Sequence, residues 1–73
     1  MVTHWFRIPQ MSSRHDVRVI SASVSDVPGV RTVEARLDTR TLSVTGTADV
    51  TAVQTAIRRA GYQAVILSDR HGG

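Results

Sequence analysis

The groups in this sequence able to bind or move charge are three histidines, six carboxylates and nine arginines, and cysteine is absent altogether. Without a thiol the chain has no redox pair, no sulfur nucleophile and no zinc ribbon. The densest run of polar groups is Ser12-Ser13-Arg14-His15-Asp16. Ser13 followed three residues later by Asp16 resembles a capping box, with Asp16 standing where Glu or Gln is more usual. On that reading Ser13 and Asp16 open a helix, and His15 between them is solvated. No paired-carboxylate cleft, Ser-His-Asp constellation or phosphate-cradling glycine loop can be assembled, and the chain is too small to enclose an ordinary substrate pocket. An enzyme is therefore not expected. The arginines are dispersed, no lysine accompanies them, and the net charge is +3. Such scatter reads as a solvated surface rather than a patch for an anionic partner.

These residues must be positioned by elements of alternating type. His4, Phe6 and Ile8 fall on one phase of a half-buried strand, Trp5 and Arg7 on the other, and Pro9 ends it. From Ser13 the period changes: Val17, Ile20, Val24 and Val27 form one stripe of a helix that Pro28-Gly29 breaks. Serine and valine are poor helix formers, so packing must hold this helix. Val30 to Asp38 alternates again, with Val33, Ala35 and Leu37 inward. Asp38-Thr39-Arg40-Thr41 turns the chain, Leu42 and Val44 return it, and Gly46 closes the hairpin. A second helix runs from about Asp49 to Ala60 on Val50, Val53, Ala56, Ile57 and Ala60, with Gly61 as its left-handed terminator. Gln63 to Leu67 is a last strand, and Ser68 to Gly73 reads as a flexible polar tail.

Seventy-three residues allow one core, so residues 1–73 are expected to form a single domain with its core over about 3–67. The order strand, helix, strand, strand, helix, strand, with right-handed crossovers, gives an α+β, ferredoxin-like βαββαβ sandwich. Its antiparallel sheet has the second and fourth strands outermost and both helices on one face. That topology makes the first and last strands neighbours and brings His4 toward His71, a second candidate ligand pair. Two imidazoles make at best half a coordination sphere, and a satisfied histidine at the core edge is the commoner case. Trp5 and Arg7 fall on the helix-free face, where an exposed tryptophan marks a candidate partner surface.

Three landmarks carry a resemblance: Phe6-Arg7-Ile8-Pro9-Gln10-Met11-Ser12-Ser13-Arg14-His15-Asp16, then Val27-Pro28-Gly29-Val30, then Ala60-Gly61-Tyr62. Over residues 5–66 the chain resembles the heavy-metal-associated domain of copper chaperones and of the N-terminal segments of metal-transporting P-type ATPases. The family pattern is Gly-Met-x-Cys-x-x-Cys, followed by Pro-Gly-Val and an Ala-Gly-aromatic end to the second helix. Here the glycine is Gln10, the methionine is kept as Met11, and the two metal-binding cysteines correspond to Ser13 and Asp16. The resemblance implies a metal-trafficking role, but tight copper(I) transfer cannot be carried over, because soft sulfur selects that ion. What it leaves is a diverged loop in one of two forms. His15 and Asp16, with Met11 and Ser13, hold a divalent zinc, copper(II) or nickel ion weakly; alternatively the domain docks or regulates without an ion. Met11 resembles a family methionine that tucks under the loop, and core packing is expected of it ahead of ligation. The implied partner is a metal transporter or another metal-binding domain, with Tyr62 beside the loop as part of the contact surface.

No segment approaches the roughly 20 apolar residues of a membrane span, so no direct membrane insertion is expected, and the lack of cysteine suits a cytoplasmic protein or the cytosolic part of a transporter. An RNA-recognition module shares the strand order, but only Trp5 offers a base-stacking ring on the open face, which argues against nucleic acid. An amino-acid sensor of the same topology would lack the Met11 and Pro28-Gly29 landmarks.

Overall fold

A computed structural model describes residues 2–68. The chain forms β1 (Val2–Arg7), α1 (Arg14–Ser25), β2 (Val30–Arg36), β3 (Thr41–Gly46), α2 (Val50–Arg59) and β4 (Val65–Ser68). The strands make one antiparallel sheet in the order β2-β3-β1-β4, so the second and fourth strands are the edges, as the pattern predicts. Phe6 of β1 lies opposite Leu42 of β3 and Ile66 of β4, which fixes the register of the central strands.

Burial follows the two periodicities. Phe6 and Ile8 from β1 and its extension, Leu42 and Val44 from β3, Ile20 and Val24 from α1, and Val53 and Ile57 from α2 are all removed from solvent. Val17, Val33, Ala35, Leu37, Val50 and Tyr62 pack against this core while remaining partly exposed. Neither helix has strong intrinsic propensity, so this apolar stripe holds both.

Several boundaries differ from those read in the sequence, β1 among them, which runs from Val2 to Arg7. α1 stops at Ser25, with Asp26 as its C-cap, and Val27 lies beyond the helix in the turn that follows. There the Val30 N–H bonds to the Val27 carbonyl at 3.2 Å across Pro28-Gly29, and Gly29 takes a φ of +94°. Proline before a left-handed glycine is the sequence of a type II turn, and Val27 belongs to it. β2 ends at Arg36, which leaves Leu37 and Asp38 to the hairpin. β4 begins at Val65, two residues late, because Gly61 and Tyr62 are occupied in closing α2 and the Gln63 N–H bonds the Gln10 side chain.

That closure is a complete Schellman motif. The Gly61 N–H bonds to the Arg58 carbonyl at 2.9 Å and the Tyr62 N–H to the Ile57 carbonyl at 3.2 Å, with Gly61 at φ +97°. Tyr62 is thereby delivered to the end of the molecule where α1 begins.

Candidate functional site

The loop between β1 and α1 is built by turns and by hydrogen bonds from three other elements. The Met11 N–H bonds to the Ile8 carbonyl at 3.0 Å, closing a tight turn with Pro9 second, the position proline favours. Arg40 in the hairpin braces this turn twice: its carbonyl accepts the Ile8 N–H at 2.8 Å, and its Nη1 donates to the Pro9 carbonyl at 3.1 Å. Arg40 takes the left-handed conformation, φ +57°, uncommon for a residue with a side chain. Gln10, where the family pattern has glycine, accepts the Gln63 N–H on its Oε1 at 2.8 Å and so ties the loop to the segment after α2.

Ser13 is the N-cap of α1, in extended conformation, and its Oγ accepts the Asp16 N–H at 3.3 Å. Asp16 answers one residue earlier than a standard capping box: its Oδ2 accepts the Ser12 N–H at 3.0 Å and the Ser12 hydroxyl at 3.4 Å. Its Oδ1 accepts a hydrogen bond from the Tyr62 hydroxyl. These donors favour the ionised carboxylate, and the helix N-terminus has the same sense. The Asp16 pKa accordingly falls to about 2, with the Tyr62 hydrogen bond as the largest cause and the Ser12 amide next. The same bond raises the Tyr62 pKa, since the proton is held by its acceptor.

The candidate ligands are not brought together as a coordination sphere. Met11 is wholly buried in the core and presents no surface to an ion. Ser13 and His15 are exposed, Ser13 accepting the helix amide, while both Asp16 oxygens already accept hydrogen bonds. Among the described residues no three of His, Asp and Glu stand close enough to share a metal. A soft ion finds no accessible sulfur here, since Met11 is buried, and a harder one would have to displace Tyr62 and Ser12; the donor set does not fit a resident metal. His4 is half-buried on the helix side of β1 opposite Val44, with its Nδ1 buried and unbonded among the described residues. His71, its candidate partner, and Asp69 to Gly73 of the expected tail lie outside the described residues, while Ser68 ends β4.

Trp5 and Arg7 lie on the open sheet face, Trp5 42% exposed. Register places Arg7 opposite Thr41, and Thr41 opposite Arg36, so two arginines flank one threonine across three strands. A concavity of about 520 Å³ lies between the helices; Asp26 and Arg59 line it among small side chains, with Ser23 and Thr55 as its other polar groups. Sequence reasoning missed Ser12, Gln10 and Arg40 as the groups that shape the loop. The only signal was Gln10 itself, a long amide where a small residue stands in the pattern it resembles.

The sequence model described as the heavy-metal-associated domain matches residues 5–63. Among solved structures, the copper(I)-loaded first domain of the human copper chaperone for SOD1 is 30% identical, with a TM-score of 0.83 over 92% of this chain and 93% of that one. Oxidized MerP from Ralstonia metallidurans is 25% identical, with a TM-score of 0.84 over 90% of this chain and 96% of that one. The N-terminal domain of PacS from Synechocystis is 22% identical, with a TM-score of 0.87 over 93% of this chain and all of that one, a likeness of fold alone. No curated protein matches the chain by sequence.

Proposed function

This chain belongs to the heavy-metal-associated domain family, and on that premise we propose that it is a docking or regulatory module of metal transport whose loop is held by hydrogen bonds instead of by an ion. The observation that carries this reading is the Asp16 carboxylate, which stands at a family ligand position and is already taken by the Tyr62 hydroxyl and the Ser12 amide. A tyrosine-carboxylate bond between the start of α1 and the end of α2 does mechanically what an ion clamped by a loop would do: it fixes the loop against the rest of the fold. An ion-binding loop must also release its ligands, and this one has its carboxylate committed. The partner of such a module is a component of a metal-transport system, a transporter or another metal-binding domain, met through the surface around the loop.

The test is a titration of the isotope-labelled chain with zinc, copper(II) and nickel, followed by amide shifts and repeated on His15→Ala. Amides of Ser12 to Asp16 are expected to stay in place at ion concentrations that saturate an ordinary histidine-carboxylate site. Saturable shifts there that vanish in His15→Ala would overturn the proposal in favour of a weak divalent-ion site on His15 and Asp16.

A further inference from the structure

Arginines that look scattered in sequence are gathered by the chain path. β1, β2 and α2 run toward the end of the molecule that carries the Ile8–Ser13 loop, and α1, β3 and β4 run away from it. Arg7 and Arg36 therefore finish their strands at that end, Arg14 opens α1, Arg58 and Arg59 close α2, and Arg40 sits in the hairpin. Six arginines stand at that end with two carboxylates, Asp16 and Asp38, although Arg59 also lines the concavity between the helices with Asp26; Arg18, Arg31, Glu34 and Asp49 lie over the rest of the described chain. Among the described residues Arg40 is the one arginine whose guanidinium hydrogen-bonds the protein itself. A pole of unspent cations steers an anionic partner and sets its orientation.

Beside this pole is a place for such a partner to anchor. Arg14 and Arg18 are four residues apart on α1 and so share one helix face. Together with Val17, Ala35 and Leu37 they line a dent of about 360 Å³ between α1 and the β2 edge. Its floor is apolar and its rim cationic. The volume is near the lower end of the roughly 300–1,000 Å³ of small-molecule clefts, enough for one bulky side chain.

We propose that this dent anchors an acidic protein segment: one apolar side chain of the partner seats on Val17, Ala35 and Leu37, and the carboxylates flanking it pair with Arg14 and Arg18. The guanidinium fork matches a carboxylate in two-point geometry. A nucleic-acid strand would want free stacking rings beside the cations, but Trp5 is on the opposite face of the sheet and Tyr62 is partly buried with its hydroxyl on Asp16. A lipid surface would want a protruding apolar group, and this feature is concave. The inference rests on reading the chain as a docking module and specifies the chemistry of its partner.

The experiment titrates the isotope-labelled chain at low salt with the blocked peptide Glu-Asp-Leu-Glu-Asp, with its neutral counterpart Gln-Asn-Leu-Gln-Asn as control. The acidic peptide is expected to shift the amides of Arg14, Val17, Arg18, Ala35 and Leu37. Arg18→Glu, at an exposed helix position, is expected to weaken that binding by roughly tenfold or more, Arg18→Gln by less, and rising salt to weaken it throughout. Both variants are first checked for an unchanged melting temperature. Equal shifts from the neutral peptide, shifts confined elsewhere, insensitivity to Arg18→Glu, or no shift at all would each overturn the proposal. So would a phosphatidylglycerol vesicle or an oligothymidine that moves the same amides at lower concentration. Absent peptide shifts with a metal-silent loop remove this inference and leave the functional reading standing. His15-dependent metal shifts remove the functional reading instead.

Discussion

The carboxylate of Asp16 receives hydrogen bonds from a phenol, an amide and a hydroxyl, and each holds its charged form more firmly than its neutral one. With the folded pKa near 2 and the ordinary value at 3.8, the unfolded chain binds more protons between those limits. This contribution to stability is complete above about pH 4 and is lost as pH falls toward 2. Tyr62 works in the opposite direction: its raised pKa means that its contribution is complete below pH 10 and is lost at higher pH. Tyr62→Phe removes the largest cause of the Asp16 shift, so the Asp16 pKa is expected to rise toward 3.8. The acid limb of the melting curve should flatten with it. Carbon-detected titration of the Asp16 carboxyl and thermal melts between pH 2 and 5 check both, and an unmoved Asp16 pKa would contradict the assignment. The pairing itself was not legible in the sequence, because two residues 46 positions apart meet only once the Schellman turn has aimed Tyr62 at α1. The types and places of Ser13 and Asp16 were legible, since capping is a local affair.

Each element's existence could be read from its period, and its ends were misread wherever a side chain or turn outcompeted the repeat. Val27 continues the helical stripe in sequence, yet the Pro28-Gly29 turn takes it; Gln63 reads as strand, yet its amide bonds Gln10. The cap of α1 is the simplest case to test. Ser13→Ala removes the acceptor for the Asp16 amide and is expected to cost about 1 kcal/mol by denaturant unfolding. The end of β3 is less forgiving. Gly46 has a φ of +151°, and a Cβ there would come within 2.1 Å of the Gly29 carbonyl oxygen. Because the obstacle is backbone on the neighbouring turn, it cannot swing aside, and the same carbonyl accepts the Thr47 N–H at 2.8 Å. Gly46→Ala is therefore expected to lose folded protein, measured as a collapse of amide dispersion, whereas Gly61→Ala, with open space around its Cβ, carries only the backbone cost of its positive φ.

At the scale of the whole molecule, basic and apolar surface meet at one edge of the sheet, where Val65 of β4 pairs with Arg7 of β1. The loop end is basic, while β4 leaves Val65, Ile66 and Leu67 at 50%, 39% and 46% exposure on an edge of the sheet. An uncovered apolar edge strand templates pairing with another chain. Replacing Leu67 with lysine is expected to lower any concentration-dependent self-association without changing the monomer's melting temperature, a contrast that sedimentation and calorimetry resolve. Arginines dispersed along the sequence come together for a geometric reason: antiparallel elements return distant residues to one end. The same geometry gives the Tyr62 bond to Asp16 a kinetic consequence. It closes a long stretch of chain and depends on α2 already being terminated, so it is expected to form after the folding barrier rather than at it. Tyr62→Phe should then hasten unfolding while leaving the refolding rate nearly untouched, and the bond acts as a latch on the lifetime of the native state.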